Sequence, residues 1–165
     1  MICDNYGKAL YEGEHSSVRD AVQEMLTRRL RFCSTRGDTS VGVNFQSADL
    51  SGMDFSGCEL WGAKFDNADL HDAIFDRADL ACASFLGANA RGASFIGARL
   101  DCANLSLAHL EHAIFRGASL GYARIIRSHM EGADFSDADM GDSYMITLPC
   151  PCCGQEKHVG RTWLL

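Results

Sequence analysis

Counting from Phe45, every fifth residue of this chain is large and apolar as far as Met145, with Ala90 the one small exception. Phenylalanine and leucine fill the row through Leu120, and Ile125, Met130, Phe135, Met140 and Met145 complete it. Two residues before each lies a second row, which is alanine at 16 of its 21 positions and otherwise Val43, Met53, Cys58, Ser128 and Ser143. No insertion or slip interrupts the pattern. A five-residue period fits neither the 3.6 of an α-helix nor the 2 of a plain strand. It fits a chain that makes a short extended segment and then a corner, over and over. The large residue and the small one before it point inward, and the other three face solvent.

Such a coil must close on a whole number of sides. Taken every twentieth residue, the large positions give the unbroken column Phe55, Phe75, Phe95, Phe115, Phe135. A second column is Leu60, Leu80, Leu100, Leu120, Met140. Taken every fifteenth, Phe and Leu mix, so four sides per turn win. Ala90 falls in the column of Leu50, Leu70, Leu110 and Met130, which predicts a gap in the packing there.

The segments Ala48-Asp-Leu-Ser-Gly, Ala63-Lys-Phe-Asp-Asn, Ala68-Asp-Leu-His-Asp, Ala78-Asp-Leu-Ala-Cys and Ala133-Asp-Phe-Ser-Asp carry the pattern A-(D/N)-L-X-X. In this the chain resembles the pentapeptide-repeat family over residues 41–145. The resemblance implies an all-β solenoid, a right-handed quadrilateral parallel β-helix. About five coils at ~4.8 Å between stacked strands make a rod of roughly 25 Å.

A solenoid exposes unpaired strand edges at its ends and needs caps. Residues 1–40 are expected to form one. Residues 8–11 suit a short strand, and Ser17-Val-Arg-Asp20 reads as a capping box opening a helix. Val18, Ala21, Val22, Met25, Leu26 and Leu30 share that helix's apolar face, while Arg19, Arg28, Arg29 and Arg31 lie on the polar one. The bland reading is a lid on the first coil; the alternative is a docking helix. The tail, residues 146–165, ends in Trp163, Leu164 and Leu165, which either cover the far end or bury it in a homodimer.

No run approaches the ~18 apolar residues of a membrane span, and the N-terminus lacks the basic start and apolar stretch of a secretory signal. A cytoplasmic chain with mostly reduced thiols is expected. The net charge of −7 disfavours direct binding to nucleic acid. It is banded along the repeats: acidic in 41–80, mildly basic in 81–130, and acidic again in 131–145.

Three groupings invite chemistry. Cys150-Pro-Cys-Cys153-Gly followed by His158 has the shape of a zinc knuckle. It supplies three ligands from Cys150, Cys153 and His158, whereas a closed tetrahedral site wants four. Zinc is therefore possible at the tail, against the alternative of thiols packed on the coil, and no other cofactor is expected. Cys82 and Cys102, twenty residues apart, become stacked neighbours at a spacing a disulfide could bridge, although in a reducing cytosol the column is more simply coincidental. His109 and His129 stack beside Glu111, Glu131 and His112, but outward positions of a solenoid line up automatically and imply no pocket. Catalysis needs groups converging in a concave site. A filled rod offers none, so the chain is read as no enzyme.

What remains is surface. Leu86, Ile96, Leu107, Tyr122 and Ile126 fall at outward positions of the middle band and hint at a contact site. The acids Asp66, Asp69, Asp72, Asp76, Asp79, Asp134, Asp137 and Asp139 are the candidate partner-binding residues. The expected function is a non-enzymatic scaffold that acts on a protein partner through its outer surface. The family resemblance implies an alternative, a DNA-mimicking binder of DNA gyrase or topoisomerase IV, as in quinolone-resistance members.

Overall fold

The computed structural model describes residues 2–3, 9–11, 16–27 and 42–146. From residue 42 onward the backbone makes the same short move in every repeat. The residue before each large one forms a parallel bridge to its equivalent four repeats on, as in Asn44 to Lys64, Lys64 to Ser84 and Ser84 to Asn104. Four rows of bridges result, and they define four faces. Face one carries positions 44, 64, 84, 104, 124 and 144; face two runs from 49 to 129, face three from 54 to 134, and face four from 59 to 139. The chain is a solenoid.

Between faces the chain turns. The amide of the small residue donates to the carbonyl of the preceding large one in every repeat but that of Ser128, as in Ala68 N to Phe65 O at 3.0 Å. The third residue of that turn has positive φ, the requirement of a type II turn. Glycine occupies many of these corners, Gly52, Gly87 and Gly97 among them, but Asn67, Asp72, Cys82, Cys102, Leu107, Tyr122 and Asp137 adopt φ of 57–60° as well.

Both inward rows are buried as far as Ser128, apart from half-buried Ala48 and Cys58, and the large one is filled by stacking. Phe55, Phe75, Phe95, Phe115 and Phe135 lie nearly parallel, with centroids 4.7–5.1 Å apart and planes within 5°. The strand spacing of a sheet is ~4.8 Å, so one coil of rise is also one ring of stack. Across the interior, Phe65, Phe75, Phe85 and Phe95 meet edge to face at 5.5–6.0 Å. That arrangement suits the ring quadrupole.

Face one departs from this plan at its far end. Arg124–Ile126 (β3 in chain order) pairs in parallel with Tyr144–Ile146 (β4) as true strands. The Ser128 hydroxyl donates to Leu105 O at 2.7 Å. The nearby turn bond from Ala108 N to that same carbonyl is stretched to 3.4 Å.

At the other end, Ile2–Cys3 (β1) pairs antiparallel with Ala9–Tyr11 (β2), and Val18–Thr27 forms α1. Ser17 caps the helix, its hydroxyl accepting from Asp20 N at 3.1 Å. The Asp20 carboxylate accepts from the Ser16 hydroxyl. Ala21, Val22 and Met25 are buried in one cluster with Val43, Phe45 and Leu50. Val18, expected on the same face, is 42% exposed: the buried apolar stripe begins one turn later, at Ala21. Arg19 reaches the first coil, donating to Ser51 Oγ at 3.2 Å and approaching Asp49 at 3.5 Å. Leu30, Arg28, Arg29 and Arg31 lie outside the described residues. No described helix is long and apolar enough to cross a membrane.

Candidate interaction surface

Each repeat has five backbone N–H groups, and four of them find carbonyls by geometry alone. Around Leu80, for example, Asp79 N, Leu80 N and Cys82 N bond to neighbouring coils and Ala83 N closes the turn. The amide left over belongs to the residue just after the large one. In about half of the repeats a carboxylate or carboxamide supplies its acceptor. In the same coil Ser51 N donates to Asp49, His71 N to Asp69, Ala81 N to Asp79, Ser136 N to Asp134 and Gly141 N to Asp139. Elsewhere the acceptor comes from the adjacent coil: Leu86 N donates to Asp66, Ile96 N to Asp76 and Gly121 N to Asp101. Asx turns of this kind satisfy a donor that would otherwise be orphaned. The aspartate of the repeat pattern is a backbone acceptor.

That accounting bears directly on the eight candidate acids. Six of them have structural duties. Asp66 also accepts from Ser84, Asp76 accepts from Ser94 at 2.5 Å, Asp69 from Asn89 at 2.9 Å, and Asp79 pairs with Arg99 at 3.2 Å. Asp134 and Asp139 hold the turns named above. Asp72 and Asp137 stand exposed at left-handed corners instead. The eight are also spread over faces two, three and four and their corners rather than gathered on one side.

Face one is different. Its row reads Asn44, Lys64, Ser84, Asn104, Arg124, Tyr144, without a carboxylate. The corner leading into it carries Cys82, Cys102 and Tyr122, and the corner leaving it carries Leu86, Leu107, Ile126 and Arg127. Leu86, Leu107, Tyr122 and Tyr144 are exposed, at 38%, 51%, 58% and 62%. Ile96 and Ile126, expected with them, are half-buried at their corners. Asp142 bonds the Tyr122 phenol and raises its pKa. Cys82 and Cys102 are free thiols one coil apart, as their spacing implies. The Cys82 thiol is pushed up by burial and then by Cys102 itself. Burial, followed by Asp54, takes Cys58 to about 11, which leaves it an inert packing group.

On face two, His109 and His129 stack with centroids 4.8 Å apart and planes 4° apart. Glu111 sits beside them at the next corner, 2.6 Å from Arg91 and 3.4 Å from His109. Burial pushes its carboxyl up, but bonds from Arg91, its own amide and His109 outweigh that and hold it near 2. Cys150, Cys153 and His158 lie outside the described residues.

The family model described as pentapeptide repeats (8 copies) matches three overlapping segments, residues 44–80, 68–106 and 103–142. The chain belongs to the pentapeptide-repeat family. Among solved structures it is similar to a pentapeptide repeat protein of the Arabidopsis thaliana thylakoid lumen, with 34% identity and a TM-score of 0.59 over 60% of this chain and 69% of that one. A pentapeptide repeat protein from Nostoc PCC 7120 matches at 26% identity and a TM-score of 0.44, over 78% of this chain and 98% of that one. A trypsin-treated variant of QnrB1, a plasmid-mediated fluoroquinolone resistance protein, matches at 26% identity and 0.40, over 60% and 70%. No curated protein matches the chain.

Proposed function

We propose that the protein is a non-enzymatic scaffold that binds a protein partner through face one and its flanking corners. Leu107 and Tyr122 carry the reading. Both are bulky, more than half exposed, and held at φ of 60° and 57°. An L-residue loses about 1–2 kcal/mol in that conformation. Gly87 and Asn67, which precede Leu107 in its column, adopt the same conformation with far less strain. Folding gains little from a leucine or a tyrosine at such a place, so contact with another molecule is the better account of them. Arg124 and Arg127 add positive charge, which favours a partner with apolar and acidic groups on its surface.

The double variant Leu107→Asn, Tyr122→Asn tests this, because asparagine tolerates the left-handed region. Cross-linking and affinity capture from native cells should recover a partner with the parent chain and lose it with the variant, while the melting temperature holds or rises. Equal capture by both, or a melting temperature several degrees lower, overturns the reading.

A DNA-mimicking role toward DNA gyrase or topoisomerase IV is the weaker alternative, since six of the eight acids it would use already accept internal bonds. Supercoiling assays with micromolar protein decide it, and no inhibition rejects it. Right-handed winding, about five coils and zinc at Cys150, Cys153 and His158 belong to the same proposal; metal analysis of protein purified without added zinc tests the last.

A further inference from the structure

We propose that Glu111, His129 and Glu131 bind a divalent transition-metal ion of the zinc class, which lashes the last two coils together at the corner between faces two and three. One ligand atom from each of the three lies within 4.8 Å of the others. Glu111 and Glu131 occupy equivalent corner positions one coil apart, and His129 precedes Glu131 by two residues on face two. The solenoid therefore brings donors from two coils to one point.

Glu111 is prepared for this role in a way that alignment alone does not produce. Arg91 and His109 both engage its Oε1, at 2.6 and 3.4 Å. Its Oε2 is buried and, among the described residues, has no hydrogen-bond partner. A carboxylate oxygen removed from water without a donor destabilises the fold. A cation satisfies it. His109 stacks on His129 while contacting Glu111, so it positions both a ligand ring and a ligand carboxylate.

The donor set selects the metal. One imidazole and two carboxylates suit zinc and its neighbours, whereas calcium takes six to eight oxygens. Zinc holds nitrogen and oxygen ligands at about 2.0–2.2 Å, so two of them in a tetrahedral set stand about 3.3–3.6 Å apart. The side chains need to close by up to about 1.5 Å to reach that spacing, and Glu131, which is exposed, can swing inward to do so. Arg91 offsets one of the two negative charges but leaves the set net negative, and its guanidinium lies on the far oxygen. Three protein ligands leave a fourth position to water or to a donor from another molecule.

The test uses the full chain with Cys150→Ser, Cys152→Ser and Cys153→Ser, so that the tail thiols contribute nothing. Zinc chloride is titrated calorimetrically at neutral pH, and melting is followed in parallel. The expected result is one zinc per chain with a rise in melting temperature, because an ion that binds only the folded state stabilises it. His129→Ala and Glu131→Gln, both on the outer surface, are each expected to weaken binding by tenfold or more. His109→Gln is expected to weaken it by about tenfold while leaving the ligands in place. The proposal is overturned by no heat and no thermal shift at millimolar zinc, by binding unchanged in both ligand variants, or by calcium binding as tightly as zinc.

Discussion

The two ends of the solenoid finish the same repeat in different ways. At the start, α1 seats Ala21, Val22 and Met25 against Val43, Phe45 and Leu50, and all six are at most 2% exposed. At the far end the inward positions are Met130, Phe135 and Met140, each only half-buried. A repeat buries its large residue against the coil before and the coil after. The end coils lack one of these neighbours, so something outside the repeat must replace it. At the start the replacement is a helix whose 3.6-residue stripe faces the coil. Toward the end the large residues also change from phenylalanine and leucine to methionine, which tolerates looser packing.

The contrast is broken or sharpened most strongly by trimming one phenylalanine column at two heights. Phe95→Ala is expected to cost about 3–5 kcal/mol, and Phe135→Ala roughly half of that or less, read from urea unfolding midpoints. Equal losses would mean that the last coil packs as tightly as the middle. Met25→Ala tests the covered end and is expected to cost about 2–3 kcal/mol by the same measurement. A negligible loss there would show that α1 rests on the coil without stabilising it.

Ala90→Leu is a smaller perturbation between the ends. Filling the short position in its leucine column is expected to be neutral or stabilising, because it restores contacts that a large-to-small change removes. A melting temperature lower by several degrees would mean that the neighbours have already closed the gap.

The smallest effect concerns the exposed pair His71–Asp69, 2.9 Å apart on the first coils. The bond and charge of Asp69 raise the His71 pKa above 6.5. Burial alone would raise Asp69, but the bonds from His71 outweigh it and bring the carboxyl below 3.8. The histidine contribution is fully present below pH 6.5 and is lost as the pH rises through the higher folded value. The aspartate contribution is present above pH 3.8 and is lost as the pH falls. His71→Gln should therefore lower the melting temperature slightly between about pH 4 and 6.5, and the difference should fade in alkaline buffer. A difference that persists unchanged at pH 9 would exclude the ion pair as its source.

The solenoid was legible because its rule is local. A side chain that returns every five residues without slippage has few backbones to choose from, and the unmixed column from Phe55 to Phe135 selected four repeats per coil. The helix was legible from Ser17 and the spacing of Ala21, Val22 and Met25. The surface was read less well. Counting acids put Asp66, Asp69, Asp76, Asp79, Asp134 and Asp139 forward as partner contacts, whereas their carboxylates accept the one amide per repeat that the ladder leaves over. The cue was present, since aspartate and asparagine recur just before the large residue, but only the hydrogen bonds reveal that use. Leu107 and Tyr122 stood out in the sequence as apolar residues at outward positions; their left-handed backbone did not.

By itself, then, the sequence determined the period, the columns and the interior, because burying a large side chain at fixed spacing leaves the chain almost no freedom. The tertiary structure decided which polar groups remain available. Whether Glu111 keeps an unsatisfied oxygen, or Asp79 spends its carboxylate on Arg99, depends on donors that meet only when coils twenty residues apart are stacked.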